Sequence, residues 1–305
     1  MDDDTRILLG IKNEEDTQIQ QNYLHKLYKW ANTNNMKFNA NKFELLRYGK
    51  VQEIKSATTY KPYDDSNIDD KEQVRDLGIM MSNTPTFTLH IRNIVKKARD
   101  TMGWVLRVFQ SGALSHADTF KISPLLEYCC QLWNPWKTID IQAIEAIQRT
   151  FPYKITEVQH LNNWERLHKL KLYSLQRRGE LYIIIYIWKV TQHMVLYIDG
   201  TMGHKINTRK HPRPGTQCVI RYPTNRNPAQ SLQEDAITVF GPRLYNPLPK
   251  DLRDIESVKT RKIKFELDKF LELIPNQSKM SNYVSASGSN SILDQLTHLR
   301  AHGIY

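Results

Sequence analysis

The sequence predicts an α+β fold, with a few antiparallel strands packed on one helix and then a mainly α bundle. A basic, loop-rich region with terminal helices completes it. Three observations lead there. Before residue 84, short apolar runs are closed by glycine or by acidic turns, the pattern of short strands. Between Phe87 and Val195, apolar residues recur every three or four positions, the period of a helix face. From Gly200 to Gln233 there is no acidic residue, while Lys205, Arg209, Lys210, Arg213, Arg221 and Arg226 alternate with Pro212, Pro214, Pro223 and Pro228. These shifts divide the chain into 1–83, 84–199 and 200–305.

The 305 residues suffice for a sizeable core, and 40% hydrophobic with 25% charged residues is a globular composition. The net charge of +11 favours polyanionic partners without naming one. Cys129, Cys130 and Cys218 form neither a disulfide framework nor a zinc pair. The adjacent Cys129 and Cys130 read as small buried apolar residues in a reducing, intracellular compartment, nucleus or cytoplasm. The longest apolar run, Leu181 to Val190, is too short for a membrane span and carries Lys189, so no membrane partner is expected.

Taken in order, Asp2, Asp3 and Asp4 precede a short strand over Ile7–Ile11. Taken alone the triplet is an acidic, frayed tip. Adjacent carboxylates leading into a strand are also what a two-metal phosphoryl-transfer site uses. A helix follows over Glu14–Asn34, with Glu14, Glu15 and Asp16 suiting its N-terminal dipole and Ile19, Tyr23, Leu27 and Trp30 as its core face. Met36–Phe38 is extended; Phe43–Tyr48, Thr58–Tyr63 and Val74–Met80 read as three strands, with an acidic turn over Asp64–Asp70.

From Pro85 a long helix carries one apolar stripe of Phe87, Ile91, Ile94, Val95, Ala98, Met102, Val105, Leu106 and Phe109. Lys96, Lys97, Arg99 and Arg107 fall outside it. Further helices are expected over Leu125–Trp133, Ile139–Thr150, Leu161–Leu170 and Ser174–Val195. Asn134-Pro135 stops the first of them. Beyond the basic irregular stretch, Phe240-Gly241-Pro242 reads as a turn into Leu244–Leu248. Val258–Leu273 is a helix, Ser281–Ser291 is loose, and Ile292–Leu299 is a short last helix.

Five segments in order carry a resemblance. They are Met1-Asp2-Asp3-Asp4-Thr5; Trp30 followed by Met36-Lys37-Phe38-Asn39-Ala40-Asn41-Lys42; Asp76-Leu77-Gly78-Ile79; His90-Ile91 with Val95-Lys96-Lys97-Ala98; and a block of Leu125-Leu126-Glu127-Tyr128-Cys129, Trp133-Asn134-Pro135-Trp136 and Ile144-Glu145-Ala146-Ile147-Gln148-Arg149. Together they resemble the downstream half of a non-LTR retrotransposon reverse transcriptase: metal-site hairpin, following palm element, primer grip, thumb helix and post-thumb block. The stretch Phe240–Pro249 is similar to the far C-terminus of such elements.

The resemblance implies a palm remnant followed by a thumb and post-thumb bundle, and RNA-directed DNA polymerase as the family activity. It implies Asp3 and Asp4 as catalytic carboxylates and Mg²⁺ ligands, acting with a third carboxylate from an earlier palm strand. It also implies an RNA or DNA template-primer as partner. Asp2 stands where the family has Ala, and Met1 where it has an aromatic. The fingers and first palm carboxylate have no counterpart in the sequence. The expectation is an N-terminally truncated element, inactive as a polymerase alone; the alternative is a non-enzymatic nucleic-acid-binding or helical interaction protein.

Lys42 admits two readings, a proton donor to pyrophosphate or a solvated strand end. Lys96, Lys97, Arg99 and Arg107 contact phosphates or form a solvated helix face. The basic loop 205–226 holds nucleic acid or is a linker. Trp133, Trp136 and Trp164 are expected in cores rather than as stacking platforms. Arg177-Arg178 reads as a solvated helix start. Gln110–Ser123 is shorter and more polar than its family counterpart, which leaves neighbouring helices an uncovered apolar face.

Overall fold

The computed structural model describes residues 5–39, 42–49, 58–62, 67–84, 86–108, 116–195, 208–211, 215–218, 237–256, 259–274, 276 and 290–301. They are mostly helical with a few short strands, an α+β composition. The chain forms two compact units, Met1–His90 and Ile91–Tyr305.

The first unit is built on helix α1, Glu14–Thr33. Asn13 caps it, accepting from the Asp16 N–H at 2.9 Å, and the Asp16 carboxylate accepts in return from the Asn13 and Lys12 N–H groups. This reciprocal box satisfies amide groups that the first turn leaves without helical partners. The helix ends where Asn35 turns left-handed (φ 55°) and the Met36 N–H bonds back to the Ala31 carbonyl at 2.9 Å. Its buried residues are Leu24 and Ala31, whereas Ile19, Tyr23 and Trp30 are exposed. The expected core face is thus displaced by about 110° around the helix. The inner face is held by the 58–62 segment. Tyr60, 4% exposed, donates to Gln20 Oε1, and the Gln21 amide exchanges two hydrogen bonds with the Lys61 backbone at 2.8 and 3.0 Å. Tyr28, Phe38 and Phe43 form a ring cluster with centroids 5.3 to 5.8 Å apart beside it.

The strands are shorter than the sequence suggests. Residues 5–11 and 58–62 have no strand structure. Strand β1, Leu45–Leu46, pairs with β2, Asp70–Lys71, and this pair is parallel rather than antiparallel. Arg47 bridges the pair, binding Asp70 at 2.7 Å with its guanidinium 5.5 Å from the Tyr60 ring. The expected third strand is a hairpin. Strands β3, Gln73–Asp76, and β4, Ile79–Ser82, pair antiparallel around Leu77-Gly78. Both turn residues have positive φ, 45° and 87°, which matches the twist of a two-residue hairpin and which Gly78 adopts without steric cost.

The second unit begins within α2, Thr88–Val108. Its further helices are α3, His116–Glu127; α4, Cys130–Trp133; α5, Thr138–Tyr153; α6, Asn163–Lys169; and α7, Leu175–Thr191. The expected helix over Leu125–Trp133 is two, broken where Cys129 turns left-handed (φ 51°). Of the adjacent pair expected to be buried, Cys130 is buried and Cys129 is exposed. The polar stretch before Pro124 is helical from His116, with Pro124 inside the helix.

In the stretch expected to be irregular, β5, Thr208–His211, and β6, Gly215–Cys218, form an antiparallel hairpin. Asn246 holds the Cys218 backbone from both sides, at 2.8 and 2.9 Å. The remaining helices are α8, Ile237–Tyr245; α9, Lys250–Arg253; α10, Thr260–Leu271; and α11, Ile292–Ala301. Helix α8 runs straight through Phe240-Gly241-Pro242, where a turn was expected. Tight packing explains this. A Cβ on Gly241 would lie 2.5 Å from Ile187 Cδ1, so the glycine lets α8 approach α7.

The core of this unit is organised on α7. Ile183, Ile184, Ile187 and Trp188 are at most 2% exposed and cluster with Leu244, Tyr245, Leu267, Ile292 and Leu296. The core therefore draws on residues on both sides of Asp199. Burying one such side chain contributes about 2 kcal/mol. Among the described residues, no helix is long and apolar enough to cross a membrane.

Candidate nucleic-acid interface

Helix α2 is strongly two-sided. Ile91, Val95, Ala98 and Val105 are 0 to 4% exposed and lie along one side, as the apolar stripe predicts. Lys96, Lys97, Arg99 and Arg107 are exposed, as is Arg92, which the sequence reading passed over. Arg92 precedes Lys96 by one helical turn, and that spacing alone was the available signal. At about 100° per residue, Arg92, Lys96, Arg99 and Arg107 fall within one stripe about 80° wide, and Gly103 occupies the gap in it. Nothing lies within 4 Å of where a Gly103 Cβ would stand. Among the described residues, none of these five cations is held in an ion pair. Asp100 is the helix's single carboxylate. One turn rises about 5.4 Å, so the stripe presents successive positive charges at intervals that a nucleic-acid backbone can meet.

The expected metal site cannot be built from described side chains. Asp3 and Asp4, the expected catalytic residues and Mg²⁺ ligands, lie outside the described residues, as do Lys205, Arg213, Arg221 and Arg226 of the basic loop. Among the described residues no group of three His, Cys, Asp or Glu is arranged to hold a metal ion. Lys42 is exposed, and its backbone N–H closes a turn onto the Asn39 carbonyl at 3.0 Å. Just beyond Asp4, Arg6 forms an ion pair with Asp76 at the end of β3, tying that segment to the β3–β4 hairpin. His90, 3% exposed, accepts from the Met80 N–H through Nδ1 at 3.3 Å. Burial lowers its pKa and keeps the ring neutral.

The three segments of the last motif block, Leu125–Cys129, Trp133–Trp136 and Ile144–Arg149, converge on the start of α7. Glu145, which is buried, accepts from the Gln176 N–H at 2.8 Å. Gln148 donates to the Tyr173 carbonyl at 2.9 Å. Glu127 binds the Arg178 guanidinium and accepts from the Tyr182 hydroxyl at 2.9 Å. Asn134 reaches the α7 backbone at Gly179, where a Cβ would stand 2.1 Å from Asn134 Oδ1. These polar residues position a helix. Burial pushes the Cys130 thiol among them up to about 12, which disfavours its thiolate form.

Arg177 overturns the expectation of a solvated helix start. It is 0% exposed, donates to the Ile274 carbonyl at 2.8 Å and binds Gln295 Oε1. Beside it Glu180 accepts from the Ile292 N–H at 2.5 Å, and Asn290 bridges Ser174 and Asn276 at 2.7 Å each. Burial raises both Glu145 and Glu180 to about 7. Of the three tryptophans assigned to the core, Trp133 is 2% exposed and donates to the Tyr128 carbonyl, whereas Trp136 is 53% exposed with Lys137 5.3 Å from its ring. No family model, no curated protein and no solved structure matches this chain.

Proposed function

We propose that the chain is a palm, thumb and post-thumb portion of a reverse transcriptase of the non-LTR retrotransposon type. Its own biochemical activity is then the binding of an RNA or DNA template-primer through the outer face of α2. The observation that carries the binding assignment is that face: five exposed cations and one carboxylate on a helix whose other side is buried. Phosphate contacts need spaced cations and no base recognition, so the assignment is of affinity and not of sequence specificity. The family assignment rests on the five ordered motif segments. Two structural facts support it: Asp76-Leu77-Gly78-Ile79 makes a hairpin, and the post-thumb block closes on one helix start. No polymerisation step is assigned to this chain.

A second reading, a helical protein–protein interaction module, is favoured by the exposed apolar stripe of Ile19, Tyr23 and Trp30 on α1. Equilibrium binding of a labelled oligonucleotide across a salt series separates the two. If four or five phosphates are neutralised, the slope of log K against log salt is about −3 for a single strand. Binding with no salt dependence would rule out the α2 assignment and leave the interaction reading.

A further inference from the structure

The outward stripe of α1 has the spacing of a helix-pairing seam. Ile19, Tyr23 and Trp30 are 43%, 46% and 54% exposed, while Leu24 and Ala31 on the inner face are buried. With Lys26 they follow a four-three-four spacing, and at about 100° per residue all four fall within about 60° of one another. Lys26 fits the seam through its apolar stem, with its Nζ 5.6 Å from the Tyr23 ring centroid. One edge of the seam carries Glu15, Asn22 and Lys29, spaced by seven residues and all exposed. Among the described residues neither Glu15 nor Lys29 is held in an ion pair.

We propose that α1 pairs antiparallel with α1 of a second copy of this chain, about a two-fold axis beside Asn22. This rests on the reading of the α1 stripe as an interaction surface and is independent of the cations of α2. The order of charge along the edge selects the occupant. From N- to C-terminus it reads acid, amide, base, so a reversed copy reads base, amide, acid. In the antiparallel pair Glu15 faces Lys29 of the second copy, Asn22 faces Asn22, and Lys29 faces Glu15, a self-complementary surface of the kind a two-fold dimer requires. A parallel pair would set Glu15 against Glu15 and Lys29 against Lys29. The same axis brings Tyr23 near its counterpart and Trp30 over the first turn of the other helix. A seam of about three turns is short, so the dimer is reversible and not obligate.

The test is sedimentation velocity of the full chain between about 1 and 100 µM. Wild type is expected to pass from monomer toward dimer across this range. Trp30→Ala, which removes the largest ring of the seam, is expected to weaken dimerisation at least about tenfold. Glu15→Lys and Lys29→Glu each set like charges together twice per dimer and are each expected to weaken it about tenfold. An equimolar mixture of the two is expected to form a heterodimer of about wild-type affinity, because both edges then oppose unlike charges; a local folding defect would not be rescued by mixing. The proposal is overturned if wild type stays monomeric throughout, if Trp30→Ala dimerises like wild type, or if the mixture is no tighter than either variant alone. Thermal melts of Trp30→Ala at the lowest concentration separate this failure from that of the interaction reading. Where wild type is monomeric and the melting midpoint is unchanged by Trp30→Ala, the ring stands in solvent and only the second-copy assignment fails. Where wild type is monomeric and the midpoint falls, the stripe packs internally and both fail together.

Discussion

Glu180→Gln is expected to make the protein more stable above neutral pH and to flatten its stability against pH. The Glu180 carboxyl lies beside the start of α11, where it accepts from the Ile292 N–H, and burial outweighs that hydrogen bond, raising its pKa from 4.5 to about 7. Asp294 raises it further, and Arg177 and Ser291 act in the opposite direction. The folded state thus holds this proton more tightly than the unfolded chain does. Below the unfolded pKa both states are protonated and the stability is fully present. As pH rises, the unfolded chain deprotonates first, and stability is lost progressively up to the folded pKa near 7. A displacement of this size corresponds to about 3 kcal/mol, a large part of the 5–15 kcal/mol typical of a domain. Glutamine keeps an acceptor for Ile292 and never has to ionise. Urea titrations at pH 5 and pH 8 measure the difference. Wild type is expected to lose stability between the two, and Glu180→Gln to lose markedly less. Equal slopes for the two proteins would refute the assignment of the titration to Glu180.

Arg177→Met is expected to cost about 3–5 kcal/mol, because it leaves the Ile274 carbonyl and Gln295 buried without their donor; thermal denaturation reads this as a lowered midpoint. Gly179→Ala is expected to destabilise comparably by driving a methyl into Asn134 Oδ1, and pairing it with Asn134→Ala is expected to recover part of the loss. Primer extension by the purified chain with Mg²⁺ is expected to match that of a variant with Asp3 and Asp4 both changed to Ala. Incorporation above that level would contradict the assignment of binding alone.

The helices were legible in the sequence wherever a single apolar stripe faced a single core. Helix α2 is the clearest case, since its 3.6-residue period and its charged remainder give the same answer. Helix α1 was legible as a helix but not in its orientation. It carries two apolar stripes, and the choice between them is made by Tyr60 and Lys61, forty residues away on an irregular segment. Arg177 was misplaced for a similar reason. Nothing local distinguishes it from Arg178, and its partners Ile274 and Gln295 lie about a hundred residues downstream. The Leu77-Gly78 turn was readable in principle from a glycine inside an apolar run, a recognised sign of a bend or turn. Trp136 shows the limit of motif context: its neighbour Trp133 is buried, yet a residue past a proline faces outward. For the candidate site, the charge and period that set Lys96, Lys97, Arg99 and Arg107 outside the apolar stripe apply equally to Arg92, one turn before Lys96.

The most direct test of the central claim is the salt dependence of single-strand binding by wild type and by a variant with Arg92, Lys96, Arg99 and Arg107 changed to Gln. If these four cations neutralise phosphates, the magnitude of the slope of log K against log salt falls by about 0.7 for each, nearly 3 in all. A variant that retains the wild-type slope and affinity would contradict the claim, because the outer face of α2 would then be a solvated surface and not an interface.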